Sequence, residues 1–138
     1  MTMAPAKPQV LALVVCDAVH RDPTTGKHTL LGCFNALSCR GFPATHPGLA
    51  LHAALTEGYG RVPVEARLVR TDGQEVLHRL RVEVVFEDPR AVAEVTFAFR
   101  EVLVPAPEEL RVQVLAEGEV LAERRLRVLG RPAGAEHA

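Results

Sequence analysis

The 138-residue chain has no tryptophan, no isoleucine and one tyrosine, Tyr59. Proteins that hold sugars or single-stranded nucleic acid stack them on aromatic rings, so this scarcity argues against both ligand classes. Lysine is nearly missing: Lys7 and Lys27 stand against fourteen arginines. The formal net charge of −1 offers no basic surplus to draw the protein to nucleic acid or to an anionic membrane. Asparagine and glutamine are reduced to Asn35, Gln9, Gln74 and Gln113, a depletion that fits a thermophile, and the excess of arginine and valine fits a GC-rich genome. Ser38 is the only serine and lacks a Gly-x-Ser-x-Gly elbow, so no hydrolase constellation is expected. Cys16, Cys33 and Cys39 match no zinc spacing, and neither Cys-x-x-Cys nor His-x-x-x-His occurs. The sequence therefore predicts no catalytic residue, no cofactor and no metal ligand: not an enzyme. No apolar run approaches the ~18 residues of a membrane span. The short run before Cys16 has Val15 where a lipoprotein signal needs a small residue, so the expected location is the cytoplasm.

What is present is organised around Val10 to Pro43, which reads as a long β-hairpin. Two apolar runs flank Asp22-Pro23-Thr24-Thr25-Gly26-Lys27. Pro23 presets φ for the first corner, the Asp22 carboxylate can accept from the next backbone amides, and Gly26 supplies a left-handed residue. Strands are expected at Gln9 to His20 and His28 to Cys39. Pairing Asp22 with Lys27 then sets Cys16 opposite Cys33 and Asp17 opposite Gly32. Both faces of this hairpin are apolar, where a strand with one wet side should alternate.

Downstream, Gly41 to Gly48 reads as a connector and Leu49 to Thr56 as a third strand. Alternating strands follow, punctuated by turns at Glu57 to Gly60, Asp72-Gly73 and Glu117-Gly118; Pro105 and Pro107 end the sixth strand. Asp88-Pro89 suggests one helical turn. Phe86, Phe97, Phe99 and Val82 are expected in the core. The fold class is all-β, a two-layer antiparallel β-sandwich of about eight strands, immunoglobulin-like in architecture. One domain is expected over residues 9–129, with a flexible leader at 1–8 and a flexible tail at 130–138.

Cys16-Asp17, Asp22, Thr25-Gly26-Lys27, Gly32, Phe34 and Phe42-Pro43 together resemble the hairpin motif of a bacterial family of small uncharacterised proteins, a domain of unknown function. The resemblance spans Gln9 to Leu129. It implies a bacterial all-β protein and brings no activity with it.

Four residues stand out as pocket or structural candidates: Asp17, Cys16, Cys33 and Gly32. Asp17 falls in an apolar phase, and a buried carboxylate must be hydrogen-bonded, paired or protonated. The structural account is a carboxylate holding backbone amides; the functional one is a pocket acid. Cys16 and Cys33 could be bridged, yet buried free cysteines pack as small hydrophobes and a cytosol keeps them reduced. The six histidines are scattered over different elements, with His78 on an inner phase, and the Arg124-Arg125-Arg127 cluster reads as a solvated, salt-bridged face. The leading reading is a non-enzymatic structural or protein-interaction module. It would be a homodimer through Leu11, Leu13, Val15, Leu30 and Phe34, with another protein as a further partner and neither nucleic acid nor membrane. The alternative is a small-ligand or metal-binding protein using Asp17 and the cysteines.

Overall fold

A computed structural model describes residues 7–72 and 74–131 of the chain. Its strands are β1 (Gln9–Arg21), β2 (His28–Cys33), β3 (Ala36–Cys39), β4 (Ala44–Thr56), β5 (Gly60–Arg70), β6 (Val76–Phe86), β7 (Ala93–Val104), β8 (Glu109–Ala116) and β9 (Glu119–Gly130). They form two sheets, β2-β1-β4-β7 and β3-β9-β8-β5-β6. Pairing β4 with β7 in one layer and setting β9-β8-β5 in the other is the immunoglobulin-like arrangement. Among the described residues, no helix is long and apolar enough to cross a membrane.

Alternation builds the core. Leu49, Leu51, Ala53 and Leu55 of β4 and Phe97 and Phe99 of β7 face Val62, Val64, Ala66 and Leu68 of β5 and Leu110, Val112 and Val114 of β8. Phe86 is buried with them and Val82 is half-buried against them. On the β5-β8 sheet the side chains of opposite phase are largely charged. Glu65 accepts from Arg81 Nε at 2.6 Å and from Arg67, and Arg111 donates to Glu123 at 2.7 Å.

The first hairpin has the expected register, with Cys16 opposite Cys33 and Val19 opposite Leu30. Its turn closes with the Asp22 N–H donating to the Lys27 carbonyl at 2.8 Å. Asp22 Oδ1 accepts from Thr24 N at 2.7 Å and Thr25 N at 3.1 Å, and these bonds hold its pKa below the usual carboxylate value. Gly26 sits at φ +74°.

Four expectations are corrected. The second strand does not run on to Cys39: it breaks at Phe34 and Asn35, and β3 crosses to the other sheet to pair in parallel with β9. The crossing is tied at Asn35, whose carbonyl accepts from Arg127 N and whose Oδ1 accepts from Arg124 at 2.6 Å. Arg124 in turn leaves the solvated face assigned to it; it reaches between the sheets to donate to the Leu13 carbonyl at 2.8 Å. The connector Gly41 to Gly48 is largely strand, because β7 offers ladder partners from Ala44↔Val104 onward. At Asp88-Pro89 there is a tight turn rather than helix, with Asp88 Oδ1 accepting from Arg90 N at 2.8 Å. The expected leader and tail lie mostly outside the described residues, as does Gly73. Order nevertheless reaches into both, since Lys7 pairs with Glu119 and Arg131 N donates to the Cys39 carbonyl.

Two stability predictions follow from this packing. Phe97 is 1% exposed between the sheets, so Phe97→Ala should destabilise by about 3–5 kcal/mol, read from the urea midpoint. Burial opposes the charged form of Glu65, but hydrogen bonds from Arg81 and Arg67 outweigh it and its pKa is lowered. Its stabilisation is therefore complete above the unfolded carboxylate pKa and is lost as pH falls through the folded one. The urea midpoint of the wild type should drop across that acid window, and Glu65→Gln should start lower at neutral pH and drop less.

Candidate functional site

Cys16, Ala50 and His52 are buried, yet none belongs to the core between the sheets. All three point to the outer face of the β2-β1-β4-β7 sheet, where Cys16 pairs with Ala50 and Val14 with His52. The cover comes from the hairpin itself. β1 parts from β4 after Cys16↔Ala50, while its pairing with β2 continues to Arg21↔His28. In a flat sheet Arg21 would lie seven residues past Val14, about 23 Å along the strand. Instead the rings of His28 and His52 are 4.9 Å apart. The hairpin tip is thus folded back across β4 and β7, with Val19, His28 and Leu30 half-buried.

Gly32 and Asp17 mark the place where the tip departs. Gly32 has φ +66°, and a Cβ there would overlap the Asp17 carboxylate. The expectation that these residues are neighbours is met; the expectation that Asp17 is buried is not. It is exposed, because the hairpin turns away from the sheet at that point and its apolar phase no longer faces a layer.

Under the tip, three ligating side chains from three strands converge: His28 on β2, His52 on β4 and Glu94 on β7, with their ligand atoms all within 4.8 Å of one another. Glu94 Oε2 accepts from His28 Nδ1 at 3.0 Å and its Oε1 from His52 Nε2 at 3.0 Å. The second nitrogen of His52 bonds to Thr96 Oγ1 at 3.0 Å, which fixes the ring plane. Hydrogen bonding from His52, assisted by His28, lowers the Glu94 pKa against the opposing effect of partial burial. Sequence reasoning missed this group. The signal available was His52 as the lone polar residue in the run Leu49 to Leu55, but its partners lie on strands whose pairing the sequence does not display.

The alternative based on Asp17 and the cysteines gathers no comparable set. Cys16 and Cys33 are free thiols on opposite strands, one buried and one exposed. Burial raises the Cys16 pKa, and its Sγ donates to the Ala18 carbonyl at 3.4 Å. Cys39 is a buried core residue whose pKa burial also raises. Thiols held protonated in this way are poor ligands and nucleophiles. His78 is a satisfied, half-buried histidine: its Nε2 accepts from Leu103 N at 3.0 Å, its ring meets Phe99 edge-on, and burial lowers its pKa.

The residues expected to form a dimer interface do not share one exposed face. Val15 is 2% exposed in the core, and Leu13 and Phe34 pack against it. A register shift between Val10 and Ala12 turns Val10 inward and leaves Leu11 58% exposed, out of phase with Leu13. Leu30 goes with the folded tip. Val15, Leu13 and Phe34 thus turn toward the second sheet, while Leu11 stays at the surface.

The kink gives a test. Gly32→Ala should destabilise by about 1 kcal/mol or more, from the left-handed φ and from the carboxylate overlap together. Adding Asp17→Ala should recover only the overlap part, measured as the coupling in a double-mutant cycle; full recovery would assign the whole cost to the overlap.

No curated protein matches the chain. Among solved structures, an immunoglobulin-like protein from Pseudomonas aeruginosa aligns over 89% of this chain and 97% of its own, at 12% identity and a TM-score of 0.42. A beta-glucosidase from Kluyveromyces marxianus aligns over 70% of this chain at 14% identity and a TM-score of 0.43, and the chain spans 15% of that enzyme's length. Neither likeness is strong enough to bear on function. A family profile described as "Family of unknown function (DUF6941)" matches residues 11–129, and the chain belongs to that family.

Proposed function

We propose that the protein is a non-enzymatic interaction module of a bacterial cytoplasm that self-associates by strand addition at β2. One observation carries the reading: β2 is an edge without a charged or proline guard. Sheet edges are ordinarily protected by charge, proline, brevity or a bulge, because unpaired backbone groups recruit other strands. β6 carries Arg79, Arg81 and Glu83; β7 carries Glu94, Arg100 and Glu101, the last at φ +50°; β3 has four residues. β2 reads HTLLGC, with no acid, lysine, arginine or proline, and presents Leu31 at 50% exposure. Two copies of one antiparallel edge can pair about a two-fold axis, each strand meeting its own equivalent.

Light scattering on the full chain tests this. A species of twice 15.0 kDa at micromolar concentration is expected, shifting to the single-chain mass in Leu31→Lys. A wild type that stays at 15.0 kDa, or a dimer indifferent to Leu31→Lys, removes the β2 edge from the account.

A further inference from the structure

We propose that His28, His52 and Glu94 form a binding site for one divalent transition-metal ion of the zinc class, and that the ion locks the hairpin tip onto the outer face of its own sheet. This inference rests on the three-strand cluster under the tip and is independent of the β2 edge.

Two imidazole nitrogens and a carboxylate suit zinc and its borderline neighbours rather than calcium or magnesium, which prefer oxygen alone. Zinc bonds of about 2.0–2.1 Å in a tetrahedron set neighbouring ligand atoms about 3.3 Å apart. The atoms here lie 3.0 Å from nitrogen to oxygen and no more than 4.8 Å apart across the whole group, so only small side-chain adjustments separate the cluster from that geometry.

Each ligand is supported differently. His52 is 5% exposed and held by Thr96. Bonded to the Glu94 carboxylate, a neutral His52 donates from Nε2 and accepts the Thr96 hydroxyl proton at Nδ1. The same hydroxyl can accept from Nδ1 in the other tautomer, which frees the Nε2 lone pair for a metal without moving the ring. Glu94 has a side chain 40% exposed, so the site is open on one side and a water can complete the coordination. His28 alone belongs to the folded tip. His52 and Glu94 sit on β4 and β7, which are paired along their length. An ion bridging the three therefore joins the tip to the sheet at a point where hydrogen bonds now do so.

The test uses metal-stripped full chain titrated with zinc, with cobalt(II) as the spectroscopic probe and hydrogen exchange over residues 18–31 as the structural readout. One zinc per chain is expected, with no thiolate-to-cobalt charge-transfer band and with exchange at the tip slowed on binding. His28→Gln and Glu94→Gln each should weaken binding by at least about tenfold, with the metal-free variants still giving a cooperative urea transition. The absence of stoichiometric binding, a thiolate band, or an affinity unchanged in both variants overturns the site. Binding that leaves exchange over residues 18–31 unchanged overturns the lock.

Discussion

Much of the first half of this molecule depends on one constraint: at Val15 and Cys16, β1 is buried on both sides of its sheet. Val15 lies in the core and Cys16, the next residue, is equally buried on the opposite side of the sheet. A two-layer sandwich covers only one side of each sheet, so the second cover must come from elsewhere. The chain supplies it by extending β1 and β2 beyond the sheet and folding their shared tip back across β4 and β7. The left-handed Gly32 beside Asp17 permits that departure, and the glycine and Asp22 at the turn close the tip tightly enough to fit.

The two outer faces of the sandwich consequently differ in kind. The β5-β8-β9 layer is covered by a ladder of arginines and acids, in which Glu65 is nearly buried by its own guanidinium partners. Desolvation of that carboxylate is outweighed because two charged donors reach it, a condition a single exposed pair would not meet. The opposite layer is covered in part by the hairpin tip, beneath which His28, His52 and Glu94, with Thr96 in support, form a polar cluster. Between the layers, Arg124 joins β9 to β1 and to Asn35, the residue at which the chain changes sheets.

The sequence by itself determined most of the strands and the geometry of the first turn, because these follow from neighbours in the chain. Alternation of Val62 to Leu68 and of Leu110 to Val114 has period two whatever packs on it, and the Asp22 to Lys27 turn fixes the hairpin register within six residues. Even the division into layers left a trace. The first 60 residues carry seven charged side chains and the remaining 78 carry twenty-six, and β1, β2 and β4 share one sheet while β5, β6, β8 and β9 share the other, with β3 and β7 exchanged between them. The tertiary structure alone decided which face of β1 meets the core, because both are apolar and a single shift between Val10 and Ala12 reverses the phase of Leu11. It alone decided that the tip folds back, that Asp17 is exposed, and that Arg124 spans the sheets. It also assembled the histidine cluster: His28, His52 and Glu94 are far apart in sequence and meet only because β4 pairs with β7 and the hairpin lies across both. Side-chain periodicity records which way a residue points relative to its own strand; it carries no information about which distant strand lies beneath it.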